Sequence, residues 1–270
     1  MSELLENIIN HACKTVPYYQ KNYQQAVKEW VEKASVKKIE SSSSRTVDLL
    51  PLLPLLEKKD IVWSPEQFWS VKYQTDLLAN EIDALHTSGS TGKCIDVHWY
   101  KKDMVRSLTE LWYYRKKYYK IHPRDRCCYF YSISDDPPSD PSTAYDDQNP
   151  MITYHHNGRL MGICKEAVIG EELIGICRAI TGFQPRYMLL QPSIALLLAL
   201  CYQNNDLPIP TDCQYIELTG EYLFPEVREA IAAVFQCAIC NQYGCIEANC
   251  IASECREGNL HIHTSNVCVE

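Results

Sequence analysis

Apolar residues near the amino terminus recur at the three- and four-residue spacing of an amphipathic helix. One face of that helix would hold Leu4, Leu5, Ile8, Ile9 and Ala12. Pro17 interrupts the pattern, because proline is not tolerated in a helix interior. We therefore predict a helical region over residues 1–80, broken near residue 17.

Strand and helix patterns alternate along the rest of the chain. Apolar and more polar side chains alternate over residues 95–100, as in a strand with one buried face. Further strands are predicted over residues 127–133, 151–154, 187–190, 213–218 and 237–242. Helices are predicted over residues 103–119, 171–181, 193–203 and 225–235. This alternation predicts an α/β fold with a largely parallel sheet, and the lack of a clear linker predicts one domain over residues 1–270.

Charge and hydropathy narrow the class of protein. The chain has 26 Lys and Arg against 34 Asp and Glu, a net charge of −8. We expect no nucleic-acid partner, because such binding needs a basic surface. The longest strongly apolar run, residues 194–201, is far shorter than the ~20 residues of a membrane span. No apolar signal segment precedes Glu3, so we expect a cytoplasmic protein without membrane contact.

The 14 cysteines of the chain are expected to be reduced and mostly buried, since a cytoplasmic setting disfavours disulfides. Cys237 and Cys240 have the spacing of a metal-binding pair. On a strand, however, residues three apart face opposite sides of the sheet. We therefore predict that these two cysteines belong to the core rather than to a metal site.

A segment rich in glycine and hydroxyl side chains stands out in a glycine-poor chain. It consists of Thr87, Ser88, Gly89, Ser90, Thr91, Gly92 and Lys93. Glycine lets the backbone approach an anion closely, and successive backbone N–H groups can bind it. The spacing is not that of a Walker A loop, and the segment precedes a strand instead of a helix. Composition alone leaves a phosphate site and a polar turn as equal alternatives.

Three segments in order resemble the acyl-adenylate-forming (AMP-forming) synthetase superfamily. Residues 87–93 resemble its phosphate-binding signature, and Thr219-Gly220-Glu221 resembles its adenine-contacting element. Residues 241–247, which include Asn241, Tyr243, Gly244 and Glu247, resemble its Tyr-Gly-x-x-Glu element. The resemblance implies the large N-terminal domain of that fold, with mostly parallel sheets flanked by helices. Cys94 replaces a common proline and Ile246 a common threonine, and the second change is expected to weaken nucleotide binding.

Three further segments resemble the phenylacetate–CoA ligase and CapK-like branch. They are residues 15–19, residues 50–53 and residues 183–185. The resemblance implies that ATP activates a carboxylic acid, aryl or small and hydrophobic, which then passes to CoA. Adenylation for a carrier protein and a non-catalytic binding protein derived from a ligase are the alternatives.

The same resemblance implies roles for individual residues. Lys93 and its loop would hold the ATP phosphates, Gly220 and Glu221 would shape the adenine pocket, and Glu247 would help hold Mg²⁺. From the residues alone, Glu221 could instead be an acid placed near a helix N-terminus, and such a capping residue could also serve the site. Tyr243 offers a flat face to the adenine ring or to the acyl chain, or it is a core aromatic.

Two clusters have open interpretations. Cys255 and His261 are zinc-type ligands, and the resemblance suggests a zinc site there, but a structural site needs four ligands. The alternative is a free thiol and a surface histidine. The basic run Arg115-Lys116-Lys117 with Lys120 is either a solvated helix face or a dock for the phosphates of CoA.

The chain ends before two elements that the superfamily resemblance implies, a ribose-binding aspartate and a C-terminal domain with an essential lysine. We expect this lid domain to be absent and the fold to be incomplete at its C-terminal end. The final residues are expected to form a strand without partners, whose exposed edge a second chain or a second copy would cover.

Overall fold

The computed structural model describes residues 2–26, 28–29, 53, 55–73, 80–87, 94–132, 143–146, 149–168, 170 and 172–269. Residues 88–93 and 50–52 lie outside the described residues. The chain divides into two compact units. One comprises Met1–Arg106 with Cys268–Glu270, and the other comprises Ser107–Val267.

The first unit starts with helices and continues into a hairpin and a further helix. Its helices are α1 (Ser2–Thr15), α2 (Pro17–Asn22), α3 (Lys58–Trp63) and α4, which runs over Lys101–Ser107, and its strands are β1 (Ile82–His86) and β2 (Asp96–Tyr100). Short 3₁₀ turns cover Pro65–Phe68 and Val71–Tyr73. The predicted break is confirmed, because Pro17 begins α2, where its missing N–H costs nothing. The two strands pair antiparallel, and residues 97–100 are all half-buried, so β2 lacks the single buried face that we predicted.

The second unit is built around a nine-stranded sheet. Its strands are β3 (Cys127–Tyr131), β4 (Ala144–Tyr145), β5 (Ile152–His155), β6 (Leu160–Cys164), β7 (Tyr187–Leu190), β8 (Tyr215–Leu218), β9 (Ala238–Cys245), β10 (Asn249–Glu254) and β11 (Leu260–Ile262). Its helices are α5 (Thr109–Tyr114), α6 (Glu172–Phe183), α7 (Pro192–Asn204) and α8 (Pro225–Phe235), and a π-helical turn over Arg115–Tyr119 continues α5. The strand order is β11-β10-β9-β8-β7-β3-β6-β5-β4.

The α/β class is confirmed, but the sheet is mixed. The middle strands β9, β8, β7, β3 and β6 run parallel. The outer pairs are antiparallel, because short turns join β5 to β6 and β9 to β10. The final strand β11 pairs with β10 through Ala252 and Ile262, so the prediction that it lacks any partner is wrong. It is the last strand of the sheet, and no described strand pairs with its other side.

Side chains alternate between the two faces of the sheet and build two cores. One face carries Cys128, Met188 and Ile216, which pack with apolar residues of α6, α7 and α8. The other face carries Cys127, Tyr187 and Tyr215, which pack with Tyr119 and Ile121 after α5. The sheet is therefore covered on both faces, as the parallel strands of α/β proteins require.

No described helix is both long and apolar enough to cross a membrane.

Candidate functional site

The carboxyl ends of β7, β8 and β9 meet at one edge of the sheet, because these strands run parallel. The backbone N–H of Thr219 donates to the carbonyl of Leu190 at 3.0 Å and extends the ladder past β8. The hydroxyl of Thr219 also donates to the side-chain oxygen of Gln242 on β9. The loop after β8 is thus tied to both neighbouring strands.

Gly220 and Glu221 form the exposed part of that loop. Gly220 has φ +83°, a left-handed conformation that other residues rarely adopt, so the turn requires glycine. The Glu221 carboxylate accepts from the backbone N–H of Ser193 at 2.9 Å and from its hydroxyl at 2.8 Å. Ser193 lies in the first turn of α7, so Glu221 does sit at a helix N-terminus, the second of our two interpretations. That placement leaves the residue exposed at the sheet edge.

Tyr243 lies on β9 with 60% of its surface exposed, so its interpretation as a core aromatic is wrong. Asn241, two positions earlier and therefore on the same face of the strand, is half-buried. Its backbone N–H donates to Glu254 Oε2 at 2.7 Å, which fixes β9 against β10. The edge therefore presents an aromatic ring on a rigid strand.

Gly244 and Glu247 of the Tyr-Gly-x-x-Glu element lie in different local structures, a strand and a turn. Gly244 is inside β9, where an added Cβ would overlap the carbonyl oxygen of Asn249. Glycine is needed there for close packing of two strands, not for a turn. Glu247 is exposed in the three-residue turn between β9 and β10. Its carboxylate therefore lies beyond the end of the strand that carries Tyr243.

Thr87 follows β1 and forms hydrogen bonds with Ile95, which lies after the glycine-rich segment. Its N–H donates to Ile95 O at 3.0 Å, and its hydroxyl accepts from Ile95 N–H at 2.8 Å. Ser88, Gly89, Ser90, Thr91, Gly92 and Lys93 lie outside the described residues. The segment connects two antiparallel strands, which fits the prediction that it precedes a strand.

The zinc hypothesis finds no support in the structure. Among the described residues, no group of three or more His, Cys, Asp or Glu side chains could hold a metal ion. Cys255 is buried, and His261 lies on β11 with its ring 5.9 Å from that of Tyr114. These two residues therefore do not fit a zinc site.

The Cys237–Cys240 pair belongs to the core, as predicted. Cys237 packs with the α6–α8 face of the sheet and Cys240 with the opposite face. All 14 cysteines lie within the described residues, where none forms a disulfide, and nine of them are buried. Burial raises the pKa of the Cys127 and Cys240 thiols to about 12, so both remain protonated and unreactive at neutral pH.

The basic run has both buried and exposed members, so neither a solvated helix face nor a dock for CoA describes all of it. Lys116, Lys117 and Lys120 are exposed, but Arg115 is buried. Its guanidinium binds both oxygens of Glu217, at 2.6 and 2.8 Å, and Tyr215 donates to the same carboxylate at 2.7 Å. Arg115 therefore neither faces solvent nor can dock CoA. Arg115 begins a π-helical turn where the sequence predicted an ordinary helix, and its side chain reaches Glu217 on β8.

Two aromatic residues at the same edge were not identified from the sequence. Tyr222 and Phe224 are 74% and 52% exposed, and their rings meet edge-to-face with centroids 4.8 Å apart. Both lie in the loop that begins with Gly220-Glu221, and aromatic residues in a loop after a strand are the signal that would have found them. Together with Tyr243, they add exposed aromatic surface next to the carboxylate of Glu221 at this edge of the sheet.

A scan against protein-family models and a search of curated proteins found no match. Solved structures do match in fold. They include 2-hydroxyisobutyryl-CoA ligase in an open conformation, in complex with 2-HIB-AMP and CoA, at 13% identity and TM-score 0.62 over 96% of this chain and 56% of that one. The same ligase in its thioesterification state matches at 14% identity and TM-score 0.64 over 96% of this chain and 52% of that one. This chain thus spans about half the length of those structures, and the likeness concerns the fold.

Proposed function

We propose that the chain is the nucleotide-binding part of an AMP-forming acid–thiol ligase. The observation that carries the proposal is the edge formed by Gly220, Glu221 and Tyr243 at the carboxyl ends of parallel strands. Ligands of open α/β sheets bind in this position. The fold shared with a ligase in complex with 2-HIB-AMP and CoA supports the same assignment.

Adenine would bind against Tyr243, whose exposed ring offers a stacking surface. The left-handed backbone at Gly220 leaves no side chain between the loop and the base. Glu221 holds the loop against α7 and would accept a hydrogen bond from the ligand as well. The pocket would be preformed, because strand pairing fixes Tyr243, and hydrogen bonds of Thr219 and Ser193 hold the loop that carries Gly220 and Glu221.

The glycine-rich segment would hold the phosphates. Backbone N–H groups of residues 88–92 and the Lys93 ammonium would stabilise the charge that develops on pyrophosphate. Glu247 fits Mg²⁺, because magnesium in phosphate sites uses one or two carboxylates together with phosphate oxygens. When bound, Mg²⁺ neutralises part of the phosphate charge.

The reaction would proceed in two displacements. A carboxylate oxygen of the acid attacks the α-phosphorus, the bond to the bridging oxygen breaks, and pyrophosphate leaves. A thiolate then attacks the acyl carbon and releases AMP. The exposed aromatics Tyr222 and Phe224 support an aryl or small hydrophobic acid, in keeping with the phenylacetate–CoA ligase-like branch. We propose CoA as the acceptor, a carrier protein being the alternative, and a cytoplasmic setting for the whole enzyme.

The first test is calorimetry with ATP and Mg²⁺. We expect the Lys93→Ala variant to bind about tenfold more weakly, because a charge-assisted hydrogen bond to phosphate is lost. Tyr243→Ala should weaken binding by a similar factor, since stacking is lost. Tyr145→Ala is the matched control, because Tyr145 is 58% exposed on the far strand β4. Failure of ATP to bind, or equal binding by all variants, contradicts the proposal.

The second test measures pyrophosphate release with a panel of aryl and short aliphatic acids. Separate reactions with CoA and with a carrier protein then identify the acceptor. Release that depends on an added acid supports acid activation. Release with no acid dependence contradicts it.

A further inference from the structure

A cleft of about 550 Å³ opens at the edge of the sheet opposite to the candidate nucleotide site. It is lined by residues that precede β3, β7 and β8, and so lies at the amino ends of these parallel strands. Arg186 lies in the cleft, and Gln191 lies at the other edge of the sheet. The strand β7 runs between them, so roughly 16 Å of extended chain separates these two residues. The cleft is therefore separate from the edge of Gly220 and Tyr243.

The lining of this cleft is cationic although the chain is acidic. Four of its side chains are positive, Lys120, Arg124, Arg126 and Arg186. Its carboxylates are Asp125 and Asp212, so the lining has an excess of two positive charges with His122 neutral. A concave surface with this excess attracts anions, because its field is focused into the cleft.

Both carboxylates are already engaged. Asp125 accepts the backbone N–H of His122 at 2.7 Å, and Asp212 forms an ion pair of 3.3 Å with Arg126. Arg124 and Arg186 form no ion pair with any residue that the structure describes. Two guanidinium groups are thus left for a ligand, and each has the planar donor set that matches phosphate.

The backbone beneath these arginines is held by hydrogen bonds. The N–H of Arg186 donates to Arg126 O at 2.8 Å, and Arg186 O accepts from Gln214 N–H at 3.0 Å. The side-chain oxygen of Gln184 accepts the N–H of Asp212 at 3.1 Å. Hydrogen bonds therefore join the three segments that precede β3, β7 and β8. The backbone that carries the arginines of the cleft is held in place by these bonds.

We propose that this cleft is a second binding site, for a small molecule with a phosphate monoester or diphosphate group. The volume is within the range of small-molecule sites, and the excess charge matches the two negative charges of such a group. Free phosphates and the phosphate of a nucleotide share this chemistry, and the probes below distinguish them. The site is independent of the proposed ligase activity, because its residues lie at the other edge of the sheet.

The test is calorimetric titration of the full chain with pyrophosphate, in a Lys93→Ala background that weakens the candidate nucleotide site. We expect saturable binding that the added pair Arg124→Ala and Arg186→Ala weakens about tenfold or more. Arg178→Ala, which removes an exposed arginine of α6 outside the cleft, should change the affinity by less than about twofold. Parallel titrations with AMP and inorganic phosphate show whether the site takes a nucleotide or a free phosphate.

Arg124 lies exposed in a turn, so Arg124→Ala alone provides a variant that keeps the fold. It should weaken pyrophosphate binding severalfold with an unchanged melting temperature. Absence of saturable binding in the Lys93→Ala protein, or equal affinity in the double variant, overturns the proposal.

Discussion

Gly244 illustrates how a single residue is constrained by strand packing. The nearest atom to a Cβ added there would be the backbone oxygen of Asn249, which cannot rotate away. By contrast, Gly175 lies exposed in α6 with nothing within 4 Å of an added Cβ. The same substitution should therefore have opposite effects at the two positions.

We expect Gly244→Ala to lower the free energy of unfolding by about 1–3 kcal/mol, as overpacking does. Gly175→Ala should raise it by about 0.5–1 kcal/mol, because alanine favours the helix. Urea unfolding followed by circular dichroism measures both. Equal effects of the two substitutions would contradict the packing at Asn249.

His263 is a buried residue whose ionisation should affect stability. Its Nε2 is 2.9 Å from the Ser253 hydroxyl, and its Nδ1 is 3.8 Å from Glu110 Oε1. Burial lowers the pKa of His263 below its usual 6.5, and the opposing effect of Glu110 does not reverse this. The unfolded chain therefore binds a proton more readily than the folded chain.

Stability from His263 is thus fully present above pH ~6.5 and is lost as pH falls toward the folded pKa, by up to ~1.4 kcal/mol per pH unit. His263→Gln should reduce the difference in unfolding free energy between about pH 7.5 and pH 5. Denaturant unfolding at both pH values measures it. An unchanged pH dependence in the variant would show that His263 does not carry the effect.

At the scale of elements, α7 and the loop after β8 are joined by Glu221 and Ser193. The serine N–H and hydroxyl both donate to the carboxylate, in the manner of a helix cap supplied from elsewhere in the chain. Ser193→Ala removes one of these bonds but keeps the carboxylate, whereas Glu221→Ala removes both. This difference separates a capping role from a ligand-binding role.

We expect Glu221→Ala to lower the unfolding free energy by about 1 kcal/mol, and Ser193→Ala to lower it by less. If Glu221 also contacts the nucleotide, only Glu221→Ala should weaken ATP binding markedly. Thermal melts and calorimetry provide the two measurements. Equal loss of ATP affinity in both variants would indicate that the carboxylate acts through the position of the loop alone.

Most elements of the sheet unit could be predicted from periodicity. Tyr187–Leu190 and Pro225–Phe235 have the bounds that the sequence predicted, because turn residues flank both. The strand Leu260–Ile262 was expected without a partner, because the sequence pattern did not predict the preceding strand Asn249–Glu254, with which it pairs. The buried state of Arg115 also escaped prediction, because its partner Glu217 lies 102 positions away. Likewise, the cationic cleft at the amino ends of the parallel strands collects residues from three separate segments, and only the fold brings them together.

The thiols of the whole molecule provide a test of the two cores. Three cysteines are exposed, Cys94, Cys245 and Cys268, and nine are buried. Under native conditions, a colorimetric thiol reagent should react at once with the three exposed thiols. The half-buried Cys13 and Cys237 should react more slowly, and the nine buried thiols only after unfolding. Prompt reaction of most thiols in the native protein would contradict the packing of both sheet faces.

The ion pair between Arg115 and Glu217 also has a consequence for how the chain reaches this structure. Its two residues lie 102 positions apart, and β3 is inserted between β6 and β7, which follow it at a distance along the chain. Chains dominated by such distant contacts fold slowly, because long loops must close before the contacts form. Removing both charges from water early would be unfavourable, so this pair should form late. Most of the sheet unit must therefore leave the ribosome before Glu217 becomes available to neutralise the charge of Arg115.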